Sequence, residues 1–116
     1  MRTVLAIVLM LSGTATAAKD APIRQATCAG DEDCAVKWGR AVRWVLDRNG
    51  RIADQTDNRI ATAPIEQTGE NYYQVTKIPD GAGRYTFDMR IECANAFSCK
   101  WKKMKAEFAS AVMADG

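Results

Sequence analysis

The sequence predicts an α+β domain: an N-terminal helix, a four-stranded antiparallel meander and a C-terminal helix, with both helices on one face of the sheet. Three observations carry this. Apolar residues recur at spacings of three and four over residues 34–45 and again over 101–112, the period of a helix with one buried face. Residues 84–93 alternate polar and apolar, the period of a half-buried strand in an antiparallel sheet. Hydrophobic residues make up 47% of the 116 positions and charged residues 26%, which suits one small globular domain.

Arg2 is followed by an apolar stretch, Thr3 to Leu11, and then by small residues ending in Ala15-Thr16-Ala17-Ala18. This is the pattern of a cleavable signal peptide over residues 1–18. A membrane-spanning helix needs about 20 apolar residues, roughly twice this run. No cysteine directly follows the run to accept a lipid. Residues 19–27 show no periodicity and read as a flexible arm, leaving 28–116 as the domain. On this reading the protein is periplasmic or secreted.

The first helix begins at Asp31, with Asp31 or Asp33 as the cap and Glu32 suited to the helix dipole. Its inward stripe is Cys34, Trp38, Ala41, Val42 and Val45, and Asn49-Gly50 supplies the stop. Trp44 falls at the edge of that stripe and is expected half exposed. Two short strands, 51–56 and 59–63, flank Asp57-Asn58, a pair able to make a two-residue hairpin turn. Pro64 ends the second, and 65–71 reads as a loop with Gly69. A third strand, 72–78, stops at Pro79, and because Tyr72 and Tyr73 point to opposite faces, one of them reaches solvent. After the turn Asp80-Gly81-Ala82-Gly83, the last strand directs Tyr85, Phe87, Met89, Ile91 and Cys93 to one face. The second helix starts at Ser98 and carries Trp101, Met104, Phe108, Ala111 and Val112 on one stripe. The stripes bearing Trp38 and Trp101 are the expected cover of the sheet.

The four cysteines, Cys28, Cys34, Cys93 and Cys99, form two pairs with five residues inside each. An exported chain favours disulfides over thiol chemistry, and a four-thiolate zinc site usually has closer spacing. Cys28 on a loop before the first helix can fold back over Cys34, and Cys93 at a strand end can meet Cys99 at the next helix start, which favours pairing Cys28–Cys34 and Cys93–Cys99. Entropy opposes this, since closing a loop of about 70 residues stabilises by roughly 4 kcal/mol against roughly 2 for a short one. Crossed pairing therefore stays open.

Histidine is absent, so the commonest general base and metal ligand are missing. Ser98 and Ser110 have no base to activate them, and no Cys-x-x-Cys motif is present. Asp31-Glu32-Asp33 could serve as paired carboxylates, but helix capping is their ordinary use, and no calcium loop or phosphate-binding glycine loop exists. No catalytic residue, metal or cofactor is expected. Sixteen basic against 14 acidic residues give a net charge of +2, or +1 (15 minus 14) without Arg2, which excludes the basic footprint of a nucleic-acid binder.

The residues left for recognition are Trp44, Tyr73 and the lysines Lys100, Lys102 and Lys103, with Lys105 beside them. The lysines occupy the first turns of a helix, where the dipole disfavours positive charge, and suit an acidic protein face or lipid head groups. The order Cys28, Asp33-Cys34, Lys37-Trp38, Ala41, Trp44-Val45, Thr56-Asp57, Ile60, Thr62, Gly83, Tyr85, Cys93, Asn95, Phe97 and Cys99 resembles a group of small exported bacterial proteins of unknown function. The resemblance implies a Gram-negative periplasmic setting and four structural cysteines. Ser98 stands where glycine would be expected, and the lysine-rich final helix departs from the group. The expected function is a non-catalytic domain that binds another exported or envelope protein, of the inhibitor, immunity or envelope-accessory type, with no stable membrane insertion. The alternative is a carrier of a small apolar ligand or lipid held between sheet and helices beside Met89, Met104 and Phe108.

Overall fold

The computed structural model describes residues 25–114, so the signal peptide expected over 1–18 and most of the arm that follows lie outside the described residues. Strand β1 (Ala26–Ala29) leads into helix α1 (Asp31–Arg48). Then come β2 (Ile52–Gln55), β3 (Arg59–Thr62), a single helical turn α2 (Ile65–Thr68), β4 (Tyr72–Pro79), β5 (Arg84–Glu92) and α3 (Trp101–Met113). The five strands form one antiparallel sheet in the order β1-β5-β4-β3-β2.

Four of these strands are the expected meander, and β1 adds a fifth on the free edge of β5. Ala26 and Thr27, assigned from sequence to the arm, pair with Phe87 and Thr86. Unlike the equally short β2 and β3, β1 has no hairpin turn beside it to mark it in the sequence. The structure covers this new edge: the Thr27 N–H donates to Met113 Sδ at 3.3 Å and the Thr27 carbonyl accepts from Lys37 Nζ at 3.0 Å. Backbone groups on an open edge would otherwise invite pairing with another chain.

Two connections also differ from expectation. Residues 65–68 are a helical turn rather than loop, because Pro64 presets its φ at −60° and Gly69 closes the turn at φ 71°. The last helix begins at Trp101 instead of Ser98. Its lead-in is a 3₁₀ turn over Ala96–Ser98, held by Asn95, whose side-chain oxygen accepts from the Phe97 N–H at 3.0 Å.

The covered face of the sheet is set by register. Ile60, Val75 and Met89 are directly opposite one another across β3, β4 and β5, and Ile60 and Val75 are completely buried. Helices α1 and α3 lie over this face, where Val45, Phe108 and Val112 complete the core. Trp44 is the central contact: its ring meets Tyr73 at 5.5 Å and Phe108 at 5.4 Å, both edge to face. The stripes therefore differ from the expected ones. On α1 the buried residues are Cys34, Ala41, Trp44 and Val45, with Trp38 and Val42 only partly covered. On α3, Phe108 and Val112 of the expected stripe are buried, whereas Trp101 is 43% exposed. At the end of α1, Asn49 is buried with its polar groups satisfied, donating to the Asn71 carbonyl at 3.1 Å and accepting from the Arg51 N–H at 3.0 Å.

Candidate functional site

Both cysteine pairs close locally: Cys28 to Cys34 and Cys93 to Cys99, with Cα separations of 5.0 and 5.7 Å. The first bridge ties β1 to the first turn of α1 and is buried. The second closes a loop after β5. Among the described residues no cysteine is free and no three His, Cys, Asp or Glu side chains converge on a possible metal position.

The acidic run at the start of α1 is used structurally. Gly30 occupies the cap position at φ 88°, a left-handed conformation that favours glycine, and no side chain caps the helix there. Asp33 reaches back instead, accepting from the Ala29 N–H at 2.9 Å and pairing with Lys37 Nζ at 3.2 Å. These bonds, the Ala29 N–H first and Lys37 second, hold its carboxyl below the ordinary value of 3.8. A lowered native-state value means the ionised group stabilises the fold above pH 3.8 and loses that contribution as pH falls through the native value. Thermal unfolding should thus show Asp33→Asn less stable than the unaltered protein at neutral pH, with the gap closing in acid below 3.8. A gap of constant size would deny the carboxylate this role. A carboxylate held ionised in this way is a poor general acid.

Of the recognition residues read from sequence, Trp44 and Tyr73 are misassigned, being 4% and 5% exposed. Arg48 stacks 3.7 Å above the Trp44 ring centroid, and the Tyr73 hydroxyl lies against Met104 Sδ. Tyr72 is the more exposed of the pair. Lys100, Lys102 and Lys103 are exposed as expected.

The structure brings together a different set. Along one flank of α1 runs an open groove of about 730 Å³, its wall made by Trp38, Val42 and Leu46 and its far bank by Gln55, Thr56 and Asp57 at the β2–β3 turn. It continues past Trp38 and Asp57 into a smaller recess of about 350 Å³ that reaches Asp31, Lys77 and Tyr85. Leu46, a large apolar side chain, is 41% exposed here. The Lys77 ammonium lies 5.5 Å from the Trp38 ring centroid and 5.2 Å from that of Tyr85, within cation–π range of both. Arg43, Asp57 and Lys77 enter none of the ion pairs among the described residues.

The opposite sheet face behaves differently. Arg59 pairs with Asp54 at 3.1 Å, Arg90 with Glu92 at 2.7 Å, and the Tyr72 hydroxyl donates to Gln74 at 2.7 Å. Its charged and polar side chains bond one another, whereas among the described residues no ion pair joins the charged side chains of the groove. Sequence reasoning overlooked the groove, although one signal was present: Tyr73, Val75 and Lys77 share the inward face of β4, and an inward lysine at a strand position is unusual. No family model matches the chain, and comparison with curated proteins and with solved structures returns no match.

Proposed function

We propose that the chain is an exported, non-catalytic domain that binds another exported or envelope protein, of the inhibitor, immunity or accessory kind, through the groove beside α1. The observation that carries the reading is the pairing of a partly exposed apolar wall, Trp38, Val42 and Leu46, with three charged side chains, Arg43, Asp57 and Lys77, that form no ion pair among the described residues. An apolar strip rimmed by unsatisfied charge is the anatomy of a protein interface: burial supplies affinity and the charges fix register. Two disulfides suit an oxidising compartment, and no helix among the described residues is long and apolar enough to cross a membrane. The carrier reading has less support, because the space beside Phe87, Met89 and Phe108 is about 70 Å³. Ligand pockets are typically about 300 Å³ or more.

The test is site-specific photo-crosslinking in the producing cell. A photoreactive residue at Leu46 should trap one discrete partner, and Arg43→Glu with Asp57→Lys should remove the adduct while circular dichroism stays unchanged. A probe at Thr86, on the other sheet face, is the control. Absence of any adduct from Leu46, or the same adducts from both positions, contradicts the groove as a binding site.

A further inference from the structure

A second surface, independent of the groove, lies at the end of β5 and the start of α3. The Cys93–Cys99 bridge closes a loop whose 3₁₀ turn projects Phe97 into solvent with its whole side chain exposed, 102% of the reference area. The turn is braced from within: Asn95 holds the Phe97 N–H, and the Ala94 N–H donates to Asn71 at 2.9 Å. An aromatic side chain on a mobile loop can fold back onto the protein; one on a disulfide-closed turn is held outward. Trp101 follows, 43% exposed, with the ammonium groups of Lys102 and Lys105 each 5.4 Å from its ring centroid. Lys100 and Lys103 complete four cations, and no acidic residue occurs between Glu92 and Glu107. Placing lysines in the first turns of α3 opposes the helix dipole, so fold stability does not account for them.

We infer that this corner docks on an anionic phospholipid surface, with Phe97 and Trp101 entering the interface and the lysines facing the lipid phosphates. Charge complementarity and geometry select this occupant. A fully exposed wedge fits a deformable apolar layer, and Trp at the level of the head groups with lysines reaching to phosphate is the usual interfacial arrangement. The docking is peripheral, since the segment holds two large aromatics rather than a span of about 20 apolar residues.

The experiment uses the protein recovered after export and vesicles of phosphatidylglycerol with phosphatidylethanolamine, against vesicles of phosphatidylcholine alone. Co-sedimentation is expected with the anionic vesicles only. Vesicles with brominated acyl chains should quench tryptophan emission, and Trp101→Phe should abolish that quenching, leaving the signals of Trp38 and Trp44. Neutralising one lysine should lower partitioning about five-fold, and Lys102→Gln with Lys103→Gln roughly twenty-five-fold. Phe97→Ser, on an exposed position that leaves the fold unchanged, should weaken binding at every salt concentration. The inference is overturned by equal sedimentation with both vesicle types, by no sedimentation with either, or by Phe97→Ser binding as well as the unaltered protein. It is also overturned if an acidic protein, and not the vesicles, is what the lysines bind.

Discussion

Replacing Trp44 by alanine should destabilise the domain by about 3–5 kcal/mol, the range for truncating a large aromatic in a packed core. The side chain is 4% exposed and sits between Tyr73 and Phe108, each at edge-to-face distance. Truncation removes both contacts and leaves a cavity where α1, α3 and β4 meet, with Arg48 losing the ring it stacks on. A small domain holds about 5–15 kcal/mol in total, so this one change consumes much of its margin. Urea unfolding followed by near-ultraviolet circular dichroism measures the effect. Trp44→Phe keeps most of the volume and should cost clearly less. A change within about 0.5 kcal/mol, as for an exposed position, would contradict the placement of this helix.

Removing the first disulfide should have the next largest effect. Cys28→Ala with Cys34→Ala releases a closed loop of seven residues, for which the entropic estimate is about 2 kcal/mol. Both cysteines are also buried, at 4% and 5% exposure, so their packing is lost in addition. The same pair of changes at Cys93 and Cys99 opens a loop of equal length. There the sulfurs are only partly buried, and the loss should stay near the entropic figure. Alanine is preferred to serine because it puts no unpaired hydroxyl into the core. Unfolding midpoints of the two variants, measured side by side, should place the Cys28–Cys34 variant lower. Equal or reversed midpoints would mean that the bridge between β1 and α1 adds nothing beyond loop closure.

How much of this was legible in the sequence depended on the range of the interaction. Helix α1 and strands β2 to β5 were, because their signals are local: the three-and-four spacing after Cys34, the alternation from Tyr85 to Ile91, the stops at Asn49 and Pro79. Strand β1 was not, because no hairpin turn joins it to its partner β5, which lies far along the chain, whereas the equally short β2 and β3 were marked by the Asp57-Asn58 turn between them and by Pro64. The rotation of the α1 stripe was hidden for a related reason. A helical wheel assumes one covering surface, but α1 is covered by the sheet on one side and by α3 on another. The side on which α3 packs draws Trp44 inward and leaves Trp38, Val42 and Leu46 at the margin. That long-range choice turned the expected interface residues Trp44 and Tyr73 into core and created the groove. The lysines of α3 were legible as exposed, since no apolar partner spacing included them. Phe97 carried no such signal; its exposure follows from the closed loop and its 3₁₀ turn.

Both proposed surfaces depend on the short-range pairing of the cysteines. Cys28–Cys34 fixes the first turn of α1, which borders the groove recess, and Cys93–Cys99 fixes the loop that presents Phe97. Peptide mapping of the non-reduced protein tests this most directly. Trypsin cuts after Arg24 and Lys37 and after Arg90 and Lys100, so each cysteine pair falls within one peptide, 25–37 or 91–100. The pairing described here predicts two separate peptides, each lighter by two hydrogen atoms than its reduced form. A single species joining 25–37 to 91–100, or peptides with free thiols, would contradict it.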